Sequence, residues 1–361
     1  MVAMAQFGRV ASVRVLPVAN GPPAVVVNPN ALLPVPKGTI AVPDLRVAFS
    51  VEKSTSAEPQ RAMIQLVNLS RVTRDLLASL ARRPQLVTTV GATVDARAWN
   101  STVVELHAGY RGGFAGMIFR GALSDVRSRH AGTEWITELD CGDSEDVLTH
   151  AECDLGFSEG ATALDVLTYA LGIMGVTLAP GVPPPPQLAA YVLSRGFVAH
   201  GRARDTIDAI LAGVDLDVPT SAALAAEVET GQPARSIGFF VEDGFAFFTT
   251  RGVPLPGEPV RLSFTTDPLG AARILERPER LANDGLRVRT LLHPGVRPGR
   301  GVLVTATQVA GLYRCEAVRH SGDNRGGSAF ATEADLQPVA PMPVPPTIPT
   351  GPVLGGLPAG A

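Results

Sequence analysis

Period-two alternation limits what this chain can build. LRVAFSV (Leu45–Val51) and AMIQLVNL (Ala62–Leu69) both place apolar residues on one side and polar or small ones on the other, the pattern of a half-buried strand. The polar stretch Ser54–Pro59 between them suits a loop. Ser70 then offers an N-cap for a short helix over 71–82, with Val72, Leu76, Leu77 and Leu80 on one stripe and Pro84 beyond its end. Further strands are expected at 8–16, 24–27, 86–94, 102–106, 116–127 and 133–141. A run of strands with one short helix and no βαβ rhythm predicts an antiparallel barrel or sandwich over residues 1–145.

Residues 146–235 read differently. Helices are expected at 161–174 and 204–211, with a turn or two more at 222–228. A strand-like Ala190–Leu193 lies between the first two, after the proline run Pro183–Pro186. Residues 236–337 return to strands. Ser236–Val241 and Phe245–Thr250 flank Glu242-Asp243-Gly244, and the Asp-Gly pair predicts a tight hairpin. Later strands are expected at 286–292, 301–307, 312–320 and 335–339. Residues 338–361 carry no charge and consist largely of Pro, Gly and small apolar residues, which predicts an extended tail.

Composition agrees with many short strands and tight turns: Gly is 37 and Pro 31 of 361 residues, while aromatics are only 5%. The net charge of −3 leaves no basic surplus for phosphate contacts and argues against a dedicated nucleic-acid binder. Three cysteines, Cys141, Cys153 and Cys315, are too few and odd in number for a disulfide framework. The first 15 residues lack the apolar stretch of a signal peptide. Ala161–Ala179 has the length of a membrane span and a single charge, Asp165, but Gly172 and Gly175 interrupt it, so it is expected to be a buried helix.

Nothing in the sequence points to catalysis. No phosphate-binding loop, nucleophile elbow or H-E-x-x-H occurs. Gly109, Gly112, Gly113 and Gly116 lie between strands and suit a hairpin loop rather than a phosphate cradle. Cys141, His150 and Cys153 could start a zinc site, but no fourth ligand is near and buried thiols are the simpler reading. The acidic run Asp140, Asp143, Glu145, Asp146, Glu152 and Asp154 lacks the ligand spacing and central Gly of a calcium loop. Asp205 and Asp208 suit the exposed face of a helix near its N-terminus. His107, His130, His200, His293 and His320 are scattered without evident partners. The expectation is no catalytic, cofactor-binding or metal-binding residues.

The order of segments carries more information than any single motif. LRVAFSVEKSTSAEPQRAMIQLVNLS (Leu45–Ser70) resembles the opening of bacteriophage tail-hub, or baseplate hub, proteins, with Val51, Lys53, Ile64, Leu66, Asn68, Leu69 and Ser70 in that family's V-x-K and I-x-[IL]-x-N-L-[ST] places. Phe119–Asp143 is similar to the family's paired strands, and Phe157–Val176 to its T-x-x-D-V-L helix. Phe197–Val218 resembles a later helical element, with Ile207 for the usual Leu. Gly285–Val304 is similar to V-x-x-L-L-N-P-x-[IL]-x-P-G, with His293 for Asn, and Gly311–Glu333 to Y-x-V-x-x-V-x-H-x-G-D. The resemblance spans residues 40–336 in consistent order; the Pro-rich lead, the 183–186 proline run and the tail depart from it.

The resemblance implies a mainly β protein with a smaller α/β insert: two tail-tube-like antiparallel β-barrel domains (1–145 and 236–337) and the insert (146–235), to which composition adds the Pro/Gly-rich tail (338–361). It implies a homotrimeric ring, without enzymatic activity, joining the six-fold tail tube or a distal tail protein to a three-fold spike or central fibre. The tape-measure protein is a further expected partner, and DNA would pass through without specific binding or any membrane span. Such a protein resides at the virion's tail tip after synthesis in the bacterial cytoplasm. The alternative is a tail-associated cell-wall hydrolase or peptidase.

Overall fold

The computed structural model describes residues 8–17, 23–30, 33–56, 58–81, 102–143, 151–217, 237–264, 272–281, 284–306, 309–326 and 330–339. The elements expected at 86–94 and 222–228, the tail beyond Val339, and His150, Glu145 and Asp146 lie outside these residues; Pro338, expected to open the tail, ends the last strand.

The first unit holds β1 (Arg9–Leu16), β2 (Val25–Val27), β3 (Ile40–Val42), β4 (Arg46–Ser54), β5 (Gln60–Val67), α1 (Arg71–Leu80), β6 (Val103–Tyr110), β7 (Ala115–Ala131) and β8 (Glu134–Asp143). Alternation does what the sequence leads one to expect in β4, where Val47, Phe49 and Val51 are buried and Glu52 is exposed. Ser70 caps α1 by accepting from the Thr73 N–H at 3.2 Å. Gly109 and Gly116 fall in the β6–β7 hairpin, as expected. The core centres on Val47, Ile64, Leu66, Leu106, Phe119 and Leu139.

The insert holds β9 (Glu152–Phe157), α2 (Ala163–Met174), β10 (Thr177–Leu178), α3 (Pro186–Ala190), β11 (Phe197–Arg202) and α4 (Ala203–Asp217). Thr162 and Asp165 form a capping box at the start of α2, with Thr162 Oγ1 accepting from the Asp165 N–H and the Asp165 carboxylate from the Thr162 N–H. Val166, Leu167, Ala170, Leu171 and Met174 bury its inner face against α4. No helix among the described residues is long and apolar enough to cross a membrane. The strand expected at Ala190–Leu193 is a correction: proline at N1 favours a short helix there, and only Val192 bridges, to Thr162.

The hairpin of β12 (Ile237–Glu242) and β13 (Phe245–Thr250) was expected with the later strands, yet β13 pairs in parallel with β10. Its Ile237, Phe239, Val241, Ala246 and Phe248 complete the insert's core. The physical reason is a two-faced apolar hairpin: the opposite face stacks Phe240 on Phe247, and the Phe240 ring reaches toward Gly299.

The last unit holds β14 (Leu255–Ser263), β15 (Ala272–Arg273), β16 (Glu279–Arg280), β17 (Leu286–Leu291), β18 (Arg300–Ala306), β19 (Val309–Asp323) and β20 (Phe330–Pro338), around Leu262, Val288, Val302, Val304, Cys315 and Leu336. Not every pair is antiparallel as expected. β14 runs parallel to β18, because the chain crosses over through β15–β17 before returning. The segment after β15 hydrogen-bonds to both flanks: the Ile274 N–H donates to Ser263 O and the Leu275 N–H to Arg289 O, both at 2.8 Å.

Both β units belong to one sheet among the described residues, because β19 pairs with β4 from Ala317↔Ser54 to Asp323↔Ala48. Phe330 crosses the joint into the first unit's core, where it meets Phe49 and Tyr110 edge-on, and the Tyr110 hydroxyl donates to Phe330 O at 2.9 Å. The molecule is mainly β with a small helical insert.

Candidate functional site

The charged groups that matter most lie where the three units meet. Asp243 and Gly244 are the central residues of the β12–β13 turn, both with positive φ (54° and 84°), the type I′ geometry that an Asp-Gly pair permits. That turn delivers Glu242 and Asp243 into a buried position. Lys53, on the core side of β4, places Nζ 2.9 Å from Glu242 Oε1 and 2.9 Å from Asp243 Oδ1. Arg297, from the β17–β18 loop, donates to Asp243 Oδ2 at 2.8 Å and to Met117 O at 2.9 Å. The Arg120 N–H donates to Asp243 Oδ1 at 3.1 Å, and Gln60 Nε2 to Val241 O at 2.7 Å. Two cations and two carboxylates thus close a neutral cluster drawn from both β units and the insert hairpin.

Burial decides how these groups titrate. Burial alone would lower the Lys53 ammonium, but Glu242 and Asp243 outweigh it and hold the pKa above its ordinary value. Burial would likewise raise Asp243, but Lys53 and Arg297 hold it below the usual carboxylate range. Arg314 adds a second tie between units, donating to Thr249 Oγ1 at 3.0 Å.

Two of the scattered histidines come together beside this cluster. The His293 N–H donates to Thr332 Oγ1 at 2.9 Å, and His320 Nδ1 lies 2.9 Å from the same oxygen. Burial pushes His293 down to about 4 and, with the charges of Lys53 and Arg297, His320 down to about 3. The other residues weighed from sequence stay apart. Cys141 is buried in the first core and Cys153 in the insert core. Asp208 pairs with Arg204 one turn back on α4, and His200 lies 3.4 Å from Asp154 on the exposed face of the β9–β11 ribbon. Lys53 was found by motif; Glu242, Asp243 and Arg297 were missed as its partners, and the one local signal was the Asp-Gly turn.

The face of the sheet away from the cores carries a second arrangement. Arg289, Glu333, Arg319, Glu52 and Arg61 lie directly opposite one another in successive strands, from β17 through β20, β19 and β4 to β5. Arg319 bonds Glu52 across the joint, and Arg287 chelates Asp335 at 2.7 and 2.9 Å. Charges alternate in sign along this row, so cross-strand neighbours attract and the row has little net field.

No protein-family profile matches the chain, and no curated protein resembles it in sequence. Solved structures do match. A tail protein from Neisseria meningitidis MC58 aligns over 91% of this chain and 96% of its own, with TM-score 0.50 and 12% identity. The 43 kDa tail protein of prophage MuSo2 from Shewanella oneidensis covers 81% of this chain and 97% of its own at TM-score 0.46 and 8% identity. An E. coli type VI secretion component, described as structurally similar to T4 tail proteins, covers 82% of this chain and 74% of its own at TM-score 0.47 and 10% identity. The chain shares its fold with the Neisseria tail protein, in line with the resemblance that the order of its motifs carries.

Proposed function

We propose that this protein is the structural hub at a bacteriophage tail tip, three copies of which form a ring between the tail tube and a spike or central fibre. The observation that carries this reading is the β4–β19 joint, which sets two β units side by side in one continuous sheet. Each unit reads as a tube-like barrel, so three chains supply six such units: six-fold toward a tube, three-fold toward a spike. The alternating charge row supports the same reading, because a surface whose arginines are interleaved with carboxylates offers passing DNA no continuous basic track to hold it. Function resides in interfaces, and no group is assigned to catalysis. Likeness to solved tail proteins favours this over a tail-borne cell-wall hydrolase.

Negative-stain electron microscopy of the purified protein, classified for rotational symmetry, tests the proposal. Three-fold rings with an open centre are expected, alone or on addition of the tube or spike partner. Particles that stay monomeric with both partners present, or that clear host cell walls in a zymogram, would overturn it.

A further inference from the structure

The two β units repeat one strand pattern down to a single bulge. In the first unit, β7 pairs with β6 as far as Val103↔Ala122 and with β8 at Leu123↔Cys141; Ser124 then bulges before Asp125↔Asp140 and Arg127↔Glu138. In the second, β19 pairs with β18 as far as Gly301↔Arg314 and with β20 at Cys315↔Leu336; Glu316 bulges before Ala317↔Asp335 and Arg319↔Glu333. Bulge laid on bulge, Arg127 corresponds to Arg319, Glu138 to Glu333 and Asp140 to Asp335. In both units the shorter neighbour stops two residues before the bulge.

Beyond the bulge the units differ. The flank of β19 is occupied by β4. The matching flank of β7, from Asp125 to Ala131, has no strand partner among the described residues. There the Val126 N–H is met by the carboxylate of Asp125 at 2.8 Å, where a ladder would supply a carbonyl. The repeat also names the missing strand. Arg287 and Met63 lie opposite the matching Asp335 and Asp140, so β16, which pairs Glu279 with Arg287, stands where β4 pairs Ser50 with Met63. The outer flank of β16 is likewise without a strand among the described residues.

We propose that the Asp125–Ala131 flank of β7 receives the β16 edge of a second copy of this chain, in the register that β4 takes on β19. Ser50↔Ser321 in the existing joint becomes Glu279 opposite Arg129 in the new one, and Glu52↔Arg319 becomes Leu281 opposite Arg127. Arg129, which already pairs with Glu138 on its own sheet at 3.1 Å, and Glu279 are both exposed and opposite in charge, so Glu279 would add a second carboxylate to the same cation. Pro278, beside β16, lacks an N–H, which marks an edge guarded against indiscriminate pairing. The contact is heterologous, so repeated three times it closes a ring in which it alternates with the in-chain joint. This assignment rests on the three-copy reading above and gives it a residue-level joint.

Thiol cross-linking tests it, since Cys141, Cys153 and Cys315 are buried. The Arg129→Cys/Glu279→Cys variant, treated with a short bis-maleimide, is expected to give covalent dimers and closed trimers on a denaturing gel. Co-expressed Arg129→Cys and Glu279→Cys single variants should stop at dimers, and Arg129→Cys/Glu258→Cys should not cross-link. Charge reversal supplies a second reading: Arg129→Glu should lower the trimer fraction at least several-fold in mass photometry, and Glu279→Arg should restore it. Trimers that form without the 129–279 cross-link would overturn the joint and leave the hub reading standing. Monomers under every condition would overturn both.

Discussion

Replacing Lys53 with Met removes the cation that stands at hydrogen-bond distance from both buried carboxylates. The side chains of Lys53, Glu242 and Asp243 are 1%, 5% and 6% exposed, so water cannot take over the lost contacts. Deleting one partner of a buried ion pair costs about 3–5 kcal/mol. Arg297 still holds Asp243 at 2.8 Å but stands 3.8 Å from Glu242, which puts the expected loss near the lower end of that range. Adding Glu242→Gln to Lys53→Met removes the stranded carboxylate charge, because Arg297 still neutralises Asp243 at 2.8 Å, and should recover most of the loss. Urea unfolding followed by circular dichroism, with m-values compared between variants, measures both quantities. In the intact protein the contribution of this cluster is present between about pH 4 and pH 10. Asp243, held low when folded, contributes above its unfolded pKa and loses that contribution as pH falls through its folded value. Lys53, held high, contributes below its unfolded pKa and loses that contribution as pH rises through its folded value. A loss under about 1 kcal/mol, or a Lys53→Met/Glu242→Gln variant no more stable than Lys53→Met, would refute the claim that this cluster fastens the units.

Histidine burial makes a separate prediction. His293 and His320 stay neutral in the fold down to about 4 and 3, so below the unfolded value of ~6.5 the unfolded chain binds more protons. Stability should fall by about 1.4 kcal/mol per pH unit for each histidine as pH drops from ~6.5 toward 4, and His320→Gln should flatten the urea-midpoint profile. Gly244→Val should cost roughly 1 kcal/mol or more, because a β-branched residue resists the left-handed turn; an unchanged melting temperature would count against the turn's role. Phe330→Ala should cost about 3–5 kcal/mol by opening a cavity between Phe49 and Tyr110, and a loss below ~1 kcal/mol would mean the ring is not a shared core element.

What the sequence disclosed depended on how far apart the interacting residues are. The strands at 45–51 and 62–69, the Ser70 cap, the helix ending at Met174 and the Asp243-Gly244 turn are written in neighbouring residues, and they appear where expected. Two-residue strands such as β10, β15 and β16 are too short to show a period, so the partner of the β12–β13 hairpin was not visible. The buried cluster was hidden for the same reason: Lys53 meets Glu242 across 189 residues, and an isolated Lys in a strand reads as an exposed one. The parallel β14–β18 pair escaped notice because apolar alternation says which face is buried, not which way the neighbour runs.

The joint between β4 and β19 also sets a schedule for synthesis. Arg319 reaches Glu52 across 267 residues, so the strand that completes this edge is translated long after the first unit has left the ribosome. From Asp143, where the first unit ends, to Arg319 the chain runs a further 176 residues, which at ~5–20 residues per second takes roughly 9–35 s. Throughout it the nascent first unit carries an uncapped β4 and a core lacking the Phe330 ring. In a crowded polysome, neighbouring nascent chains present the same unfilled edge, and strand exchange between them competes with the correct intramolecular closure.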